Sequence, residues 1–224
     1  MLLRRYSSAP SGRALLHRCA RGASDPWMKV KSLPEDTLAA LANVLEVRAA
    51  EPAQAAIRQA VMVDALEGVS GAAICEVGCG TGAVARHLAS LPDVSHVIGV
   101  DPSPAFLDRA RSIGSERAIE YVAGDGTALP ISDASQDVVV LWTLLAHVPV
   151  VEQPQVLAEA RRVLKQNGRI VLFDNDVCAW TFGIMEADPM QRAVNALTHA
   201  YIGDPYLSRG FPSLLEVRTA AMWC

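Results

Sequence analysis

The segment "ICEVGCGTGAVARHLAS", residues 74–90, sets a short apolar run, the acid Glu76 and the glycines Gly78, Gly80 and Gly82 directly ahead of a helix-like pattern. Gly78 and Gly80 let the backbone turn sharply and let a ligand approach closer than a Cβ permits. The helix that follows offers free amides at its start, where phosphate is the usual guest. Taken alone, such a turn holds a dinucleotide, a mononucleotide or nothing. Gly78, Gly80 and Ala83 also satisfy the GxGxxA form of the nicotinamide fingerprint.

Two further acids narrow the chemistry. Asp101 follows Gly80 by 21 residues, at the end of an apolar run "HVIGVD", the position from which a carboxylate accepts hydrogen bonds from ribose hydroxyls. Asp125, in "AGDGTALP", is an acceptor placed for an adenine amino group. Glu76 sets a negative charge just before the glycines, which repels a pyrophosphate but suits a ligand carrying a cationic amino acid and a sulfonium.

These residues need elements to hold them. Short β-rich runs fall at 72–77, 96–101, 118–123, 136–142 and 168–174, with helical segments between them. The clearest helix is predicted over 154–166, with Pro154 in its first turn and Gly168 at its exit. Ahead of the first strand, residues 35–66 read as helices, with Leu38, Leu41 and Leu45 on one stripe, Ile57 and Val61 on another, and a break at Pro52. Strand alternating with helix predicts a three-layer α/β fold, a Rossmann-like parallel sheet with helices on both faces. Ligands then bind outside the carboxyl ends of the strands, which directs attention to residues 76–82, Asp101, Asp125 and residues 142–147.

Length and composition bound the function. At 224 residues, 51% apolar and 20% charged, the chain is that of one globular domain with tails. Residues 1–24 hold five arginines and no acid or lysine, so the remainder carries 15 basic against 24 acidic side chains, a net of −9. An acidic body argues against nucleic acid as a partner and for small molecules. The longest apolar run, 138–151, is broken by His147 and Pro149 and is too short to span a bilayer. The five cysteines include no CxxC pair, which fits a reducing compartment and no metal site. Two readings of the basic head stand side by side, an organellar transit segment or a disordered start, so the expected location is cytoplasmic or organellar. The expected domains are this head (1–24), the amino-terminal helices (35–66) and a cofactor-binding domain (67–224).

At this point the sequence resembles the class I S-adenosylmethionine-dependent methyltransferases, in particular the small-molecule branch that includes the ubiquinone and menaquinone methyltransferases. The matching blocks are "EVGCGTG", "VIGVDPSPAFLDRAR", "VAGDGTALPISDASQDVVV", "LWTLLAHVP" and "EARRVLKQNGRIVLFD", in order across residues 72–174. The resemblance implies S-adenosylmethionine as cofactor, with Gly78 and Gly80 beneath its methionine part and Asp101 holding the ribose, and Glu76, Cys79 and Pro102 as further cofactor-binding candidates. It further implies Asp125 and Gly126 at the adenine, and Leu141 and Trp142 near the sulfonium. Transfer from an already activated donor asks mainly for alignment in a dry site. For an oxygen nucleophile a base helps, and His147 is the best placed of five histidines, its alternative being a residue that only packs near the strand end.

The sequence departs from the family in two places. Where the quinone C-methyltransferases carry an asparagine-bearing segment, this chain has "LLAHVPV". Residues 175–224 read mostly as helix, so the family's final antiparallel hairpin is expected to be missing and the fifth strand to be an open edge, a place for association with a second copy. Asp174, Asp176, Trp142, Trp180, Phe182, Met185 and Tyr201 are candidates for an acceptor pocket. The competing expectations are a nicotinamide-dependent oxidoreductase and a non-catalytic protein that keeps the fold.

Overall fold

A computed structural model describes residues 25–174. Five strands, β1 (Ala72–Val77), β2 (Val94–Asp101), β3 (Glu120–Ala123), β4 (Gln136–Trp142) and β5 (Leu164–Phe173), form one sheet in the order β3-β2-β1-β4-β5, every neighbouring pair parallel. Winding runs outward from β1 in both directions, so the reversal of strand order falls between β1 and β4, where a crevice opens at the carboxyl ends.

The helices are α1 (Glu35–Ala50), α2 (Pro52–Leu66), α3 (Ala83–Ser90), α4 (Pro104–Ile113) and α5 (Gln153–Val163). Pro52 forces Glu51 out of the helical region, to φ −64 and ψ 128, and this separates α1 from α2. The Glu51 carboxylate then caps α2 by accepting from the amide of Gln54 at 2.8 Å.

Both faces of the sheet are buried because side chains alternate along each strand. Ile74, Val138 and Val140 point to the face covered by Met62 of α2 and Leu88 of α3. Cys75, Val139 and Leu141 point to the other, under Val156, Leu157 and Ala160 of α5. A third, smaller cluster joins Leu38, Leu41 and Leu45 of α1 to Phe106 of α4 and Val30 of the preceding 3-10 turn (Trp27–Ser32), which sets the amino-terminal segment over the crevice.

Several boundaries differ from the sequence reading. The fifth helix ends at Val163 and β5 already begins at Leu164, where 154–166 reads as helix. Pairing with β4 overrides local preference: Leu164 bonds opposite Gln136, the register then slips to Val138 opposite Arg169, and Asn167 takes a left-handed conformation at φ 68 to absorb the slip. Strand β2 starts two residues earlier than read, and β3 two later. Ile57, expected on an apolar stripe, is 41% exposed, whereas Val61 packs against the core. Cys75 is fully buried as a small apolar residue.

Among the described residues β5 is a sheet edge, and no helix is long and apolar enough to cross a membrane. The basic head, the expected helices after Asp174, and Asp176, Trp180, Phe182, Met185 and Tyr201 lie outside the described residues.

Candidate active site

The glycine turn is tied to β2 rather than to its own helix alone. The amides of Gly78 and Cys79 both donate to the carbonyl of Val100, at 2.7 and 3.0 Å. Gly78 (φ 74) and Gly80 (φ 53) occupy the left-handed region, and a Cβ at either would strike a leucine, Leu144 at 2.6 Å or Leu45 at 2.7 Å. The amide of Gly80 donates to Oδ2 of Asp101 at 2.8 Å and that of Ser103 to Oδ1 at 2.9 Å. Ser103 is the cap of α4, accepting from the amide of Phe106. Asp101 is therefore held rigidly, 6% exposed, with acceptor capacity left over on both oxygens.

Glu76 is 2% exposed, and its Oε2 has no hydrogen-bond partner among the described residues. Burial, and then the neighbouring Asp101, push its carboxyl well above the ordinary glutamate range, against a backbone hydrogen bond from Ala85. Burial likewise lifts Asp101 to about 6. Two acids crowded into one dry spot, one with an orphaned oxygen, call for a cationic guest beside a hydroxyl-bearing one.

These groups line one cavity of about 460 Å³, within the range of small-ligand sites. Glu76, Gly78, Cys79, Gly80, Asp101, Pro102, Asp125, Gly126, Trp142 and His147 all reach it. Leu141 does not: it is 1% exposed and packs under α5, because alternation along β4 turns it to the face opposite Trp142. Trp142 lines the cavity and stacks on Phe173, with ring centroids 4.1 Å apart. Asp174 serves the site's frame, its Oδ2 accepting from the amide of Ala146 at 3.0 Å.

Asp125 lies at the rim, half exposed. Lys31 reaches it at 2.9 Å and Thr127 donates to its other oxygen, which together hold its carboxyl below the ordinary aspartate value. His147 ends a 3-10 turn after β4, and its Nδ1 lies 2.7 Å from Oδ2 of Asp25.

Three residues of the site escape sequence reasoning: Asp25, Lys31 and Arg48. Asp25 is 4% exposed, and its Oδ1 accepts from the amide of Trp27. Arg48 donates to Oγ1 of Thr143 at 2.9 Å, and burial lowers its pKa from the ordinary arginine value. Thr143, just past β4, sits at φ 53, a conformation costing a β-branched residue about 1–3 kcal/mol. It is pinned there by Arg48 and by its own amide, which donates to the carbonyl of Phe173 at 2.6 Å. No local pattern marks these residues, since each meets its partner from 94 to 122 positions away.

A doubly wound sheet with this turn, this acid after β2 and this unpartnered buried carboxylate defines an adenosyl-cofactor-binding α/β domain. Residues 74–168 match the family described as "Methyltransferase domain". Over that stretch the chain is similar to the class I S-adenosylmethionine-dependent methyltransferases, whose cofactor is S-adenosylmethionine.

Among relatives, the chain is 34% identical over 176 residues to an uncharacterized 37.1 kDa protein in transposon TN4556 of Streptomyces fradiae (77% of this chain, 49% of that protein). It is 30% identical over 145 residues to the ubiquinone biosynthesis O-methyltransferase of Paraburkholderia phytofirmans (62% and 60%). It is 39% identical over 106 residues to the demethylmenaquinone methyltransferase of Clavibacter sepedonicus (46% and 41%). The chain thus spans less than two thirds of each of these relatives. Among solved structures, the YcgJ protein of Bacillus subtilis is 27% identical, with a TM-score of 0.45 over 50% of this chain and 48% of that one.

Proposed function

We propose that this chain transfers a methyl group from S-adenosylmethionine to a small acceptor with an apolar body. The observation that carries the reading is the orphaned Oε2 of Glu76, buried in the same cavity as Asp101 and the glycine turn. Glu76 is placed for the ammonium of the methionine part, Gly78 and Gly80 for its close passage, and Asp101 for the ribose hydroxyls. Asp125 and Gly126 stand at the adenine end.

The cofactor, when bound, supplies a methyl group already activated on a sulfonium. The chain's own task is then alignment and exclusion of water. The segment 27–32 lies across the cavity, joined to its far rim by Lys31 and Asp125 and packed through Trp27 on Phe106 at 6.1 Å between ring centroids. Trp27, Trp142 and Leu144 give the acceptor side an apolar lining. Two of the relatives bear names of quinone methylation, ubiquinone and demethylmenaquinone, which favours an aromatic acceptor of that general kind.

The test is calorimetric titration of the chain against S-adenosylhomocysteine and against NAD. Micromolar binding of the former alone, lost in Asp101→Ala, is the expected result. Binding of NAD alone would move the protein to the oxidoreductases. Binding of neither by a folded chain would leave a fold without this chemistry.

A further inference from the structure

The contact between His147 and Asp25 goes beyond cofactor binding. A carboxylate only accepts hydrogen bonds, so Nδ1 of a neutral His147 must carry its proton toward Asp25, and the lone pair then resides on Nε2. Asp25 is itself fixed, since one oxygen takes the amide of Trp27 at 2.9 Å and the other takes His147 at 2.7 Å. The Trp27 ring lies 5.8 Å from the imidazole, centroid to centroid, and limits its rotation. Nε2 makes no hydrogen bond among the described residues, and His147 lines the cavity that holds Glu76 and Asp101. An oriented imidazole with a free Nε2, backed by a buried acid, is the arrangement of a general base and its orienting group.

We propose that Asp25 is a positioning residue that holds His147 in the tautomer able to take a proton at Nε2, and that the acceptor is accordingly a phenolic hydroxyl. This rests on the methyltransferase reading above. In the step, the hydroxyl oxygen forms a bond to the methyl carbon. The carbon–sulfur bond breaks, its electron pair staying on sulfur as a neutral thioether. The hydroxyl proton passes to Nε2 of His147, the Asp25 carboxylate stabilises the resulting imidazolium, and the proton then leaves to water. A phenol, with a pKa of about 10, lies close enough to imidazole for this transfer, and its ring suits the Trp27 and Trp142 side.

The experiment uses the full chain with ¹⁵N-labelled histidine, saturated with S-adenosylhomocysteine, and reads the imidazole nitrogen shifts of His147. The expected result is an Nδ1-protonated ring in the wild type and a mixed or Nε2-protonated ring in Asp25→Asn. In parallel, release of S-adenosylhomocysteine is followed with catechol as probe. His147→Gln is expected to lower kcat at least 100-fold and Asp25→Asn at least tenfold. Asp25→Glu restores part of the loss, while Kd for S-adenosylhomocysteine stays within threefold throughout. An Nε2-protonated wild-type ring overturns the proposal even if the variants fail to fold. So does catechol turnover indifferent to Asp25→Asn, or no catechol turnover by a chain that binds S-adenosylhomocysteine. Loss of S-adenosylhomocysteine binding by the wild type overturns the methyltransferase reading and this proposal with it.

Discussion

The amide of Gly80 donates a 2.8 Å hydrogen bond to Oδ2 of Asp101, so the glycine turn after β1 and the acid after β2 form one rigid unit. The two residues proposed for opposite ends of a methionine-and-ribose ligand thus set each other's position before any ligand arrives, and little ordering cost is left for binding.

Affinity for S-adenosylhomocysteine is expected to depend on pH through Asp101. Its folded carboxyl is raised from 3.8 to about 6, so below that value the site is protonated and ribose hydroxyls lose their acceptor. The Asp101 part of the affinity therefore rises from about pH 5 to pH 7, and Glu76, whose carboxyl is raised as well, adds its own rise where it ionises. The sign for stability is opposite. Between 3.8 and 6 the folded, ligand-free chain binds more protons than the unfolded one at this residue, so the Asp101 contribution to stability falls as pH rises. Asp101→Asn is expected to weaken binding about 10–100-fold at neutral pH and to flatten the Asp101 part of the profile, measured by titration at several pH values.

Glu76→Gln separates the two ends of the ligand. Loss of the carboxylate opposite the ammonium is expected to weaken S-adenosylhomocysteine about tenfold or more, in line with a charged hydrogen bond. Methylthioadenosine, which has no amino acid, is expected to bind the variant as it binds the wild type. Equal losses for both ligands would move Glu76 away from the ammonium.

Gly80→Ala tests the tightness of the turn. A left-handed backbone and a Cβ 2.7 Å from Leu45 both oppose the methyl group, and the expected cost is about 1–3 kcal/mol with loss of cofactor binding. Combining it with Leu45→Ala relieves the clash but not the backbone, so thermal melting should recover only in part.

Arg162 ties down the loop between β3 and β4. Its guanidinium donates to the carbonyls of Leu129 and Ile131 and pairs with Asp133 and Glu159, and Glu159 in turn accepts from the amide of Leu129. Arg162→Ala is expected to cost about 2–3 kcal/mol, and Arg162→Lys to restore little, since an ammonium cannot reproduce the fork. The Arg162 hydrogen bond lowers the Glu159 carboxyl, so its contribution is present above the ordinary glutamate value and is lost as pH falls through the lowered one. Thermal melts of both variants at about pH 7 and pH 4 check both points.

The sheet's centre was legible in the sequence because its strands are buried on both faces, and "AAICEV" and "QDVVVLW" match β1 and β4 end to end. The glycine turn and Asp101 were legible for a related reason, since chemistry at strand ends leaves short local patterns. The start of β5 was not. Residues Lys165, Gln166 and Asn167 have no strand preference, and only pairing with β4 makes them extended. Asp25, Lys31 and Arg48 were hidden because packing of the amino-terminal segment over the crevice, not sequence spacing, brings them to Asp125, Thr143 and His147. Leu141, which the resemblance implies near the sulfonium, turns to the α5 face instead, because neighbouring strand residues point to opposite sides of the sheet.

The strand order has a consequence for how the molecule comes into being. Central β1 must wait for β4, some 60 residues later, to cover its second edge, and the Asp25 contact closes only once His147 exists. Parallel pairing of this kind has a high contact order and folds slowly. During synthesis the half-sheet β1–β2–β3 emerges first with the apolar edge of β1 unpaired, a period of exposure to aggregation that chaperones relieve in cells. The cavity takes its lining from both halves of the sheet, so a ligand bound there stabilises the finished domain rather than either half alone.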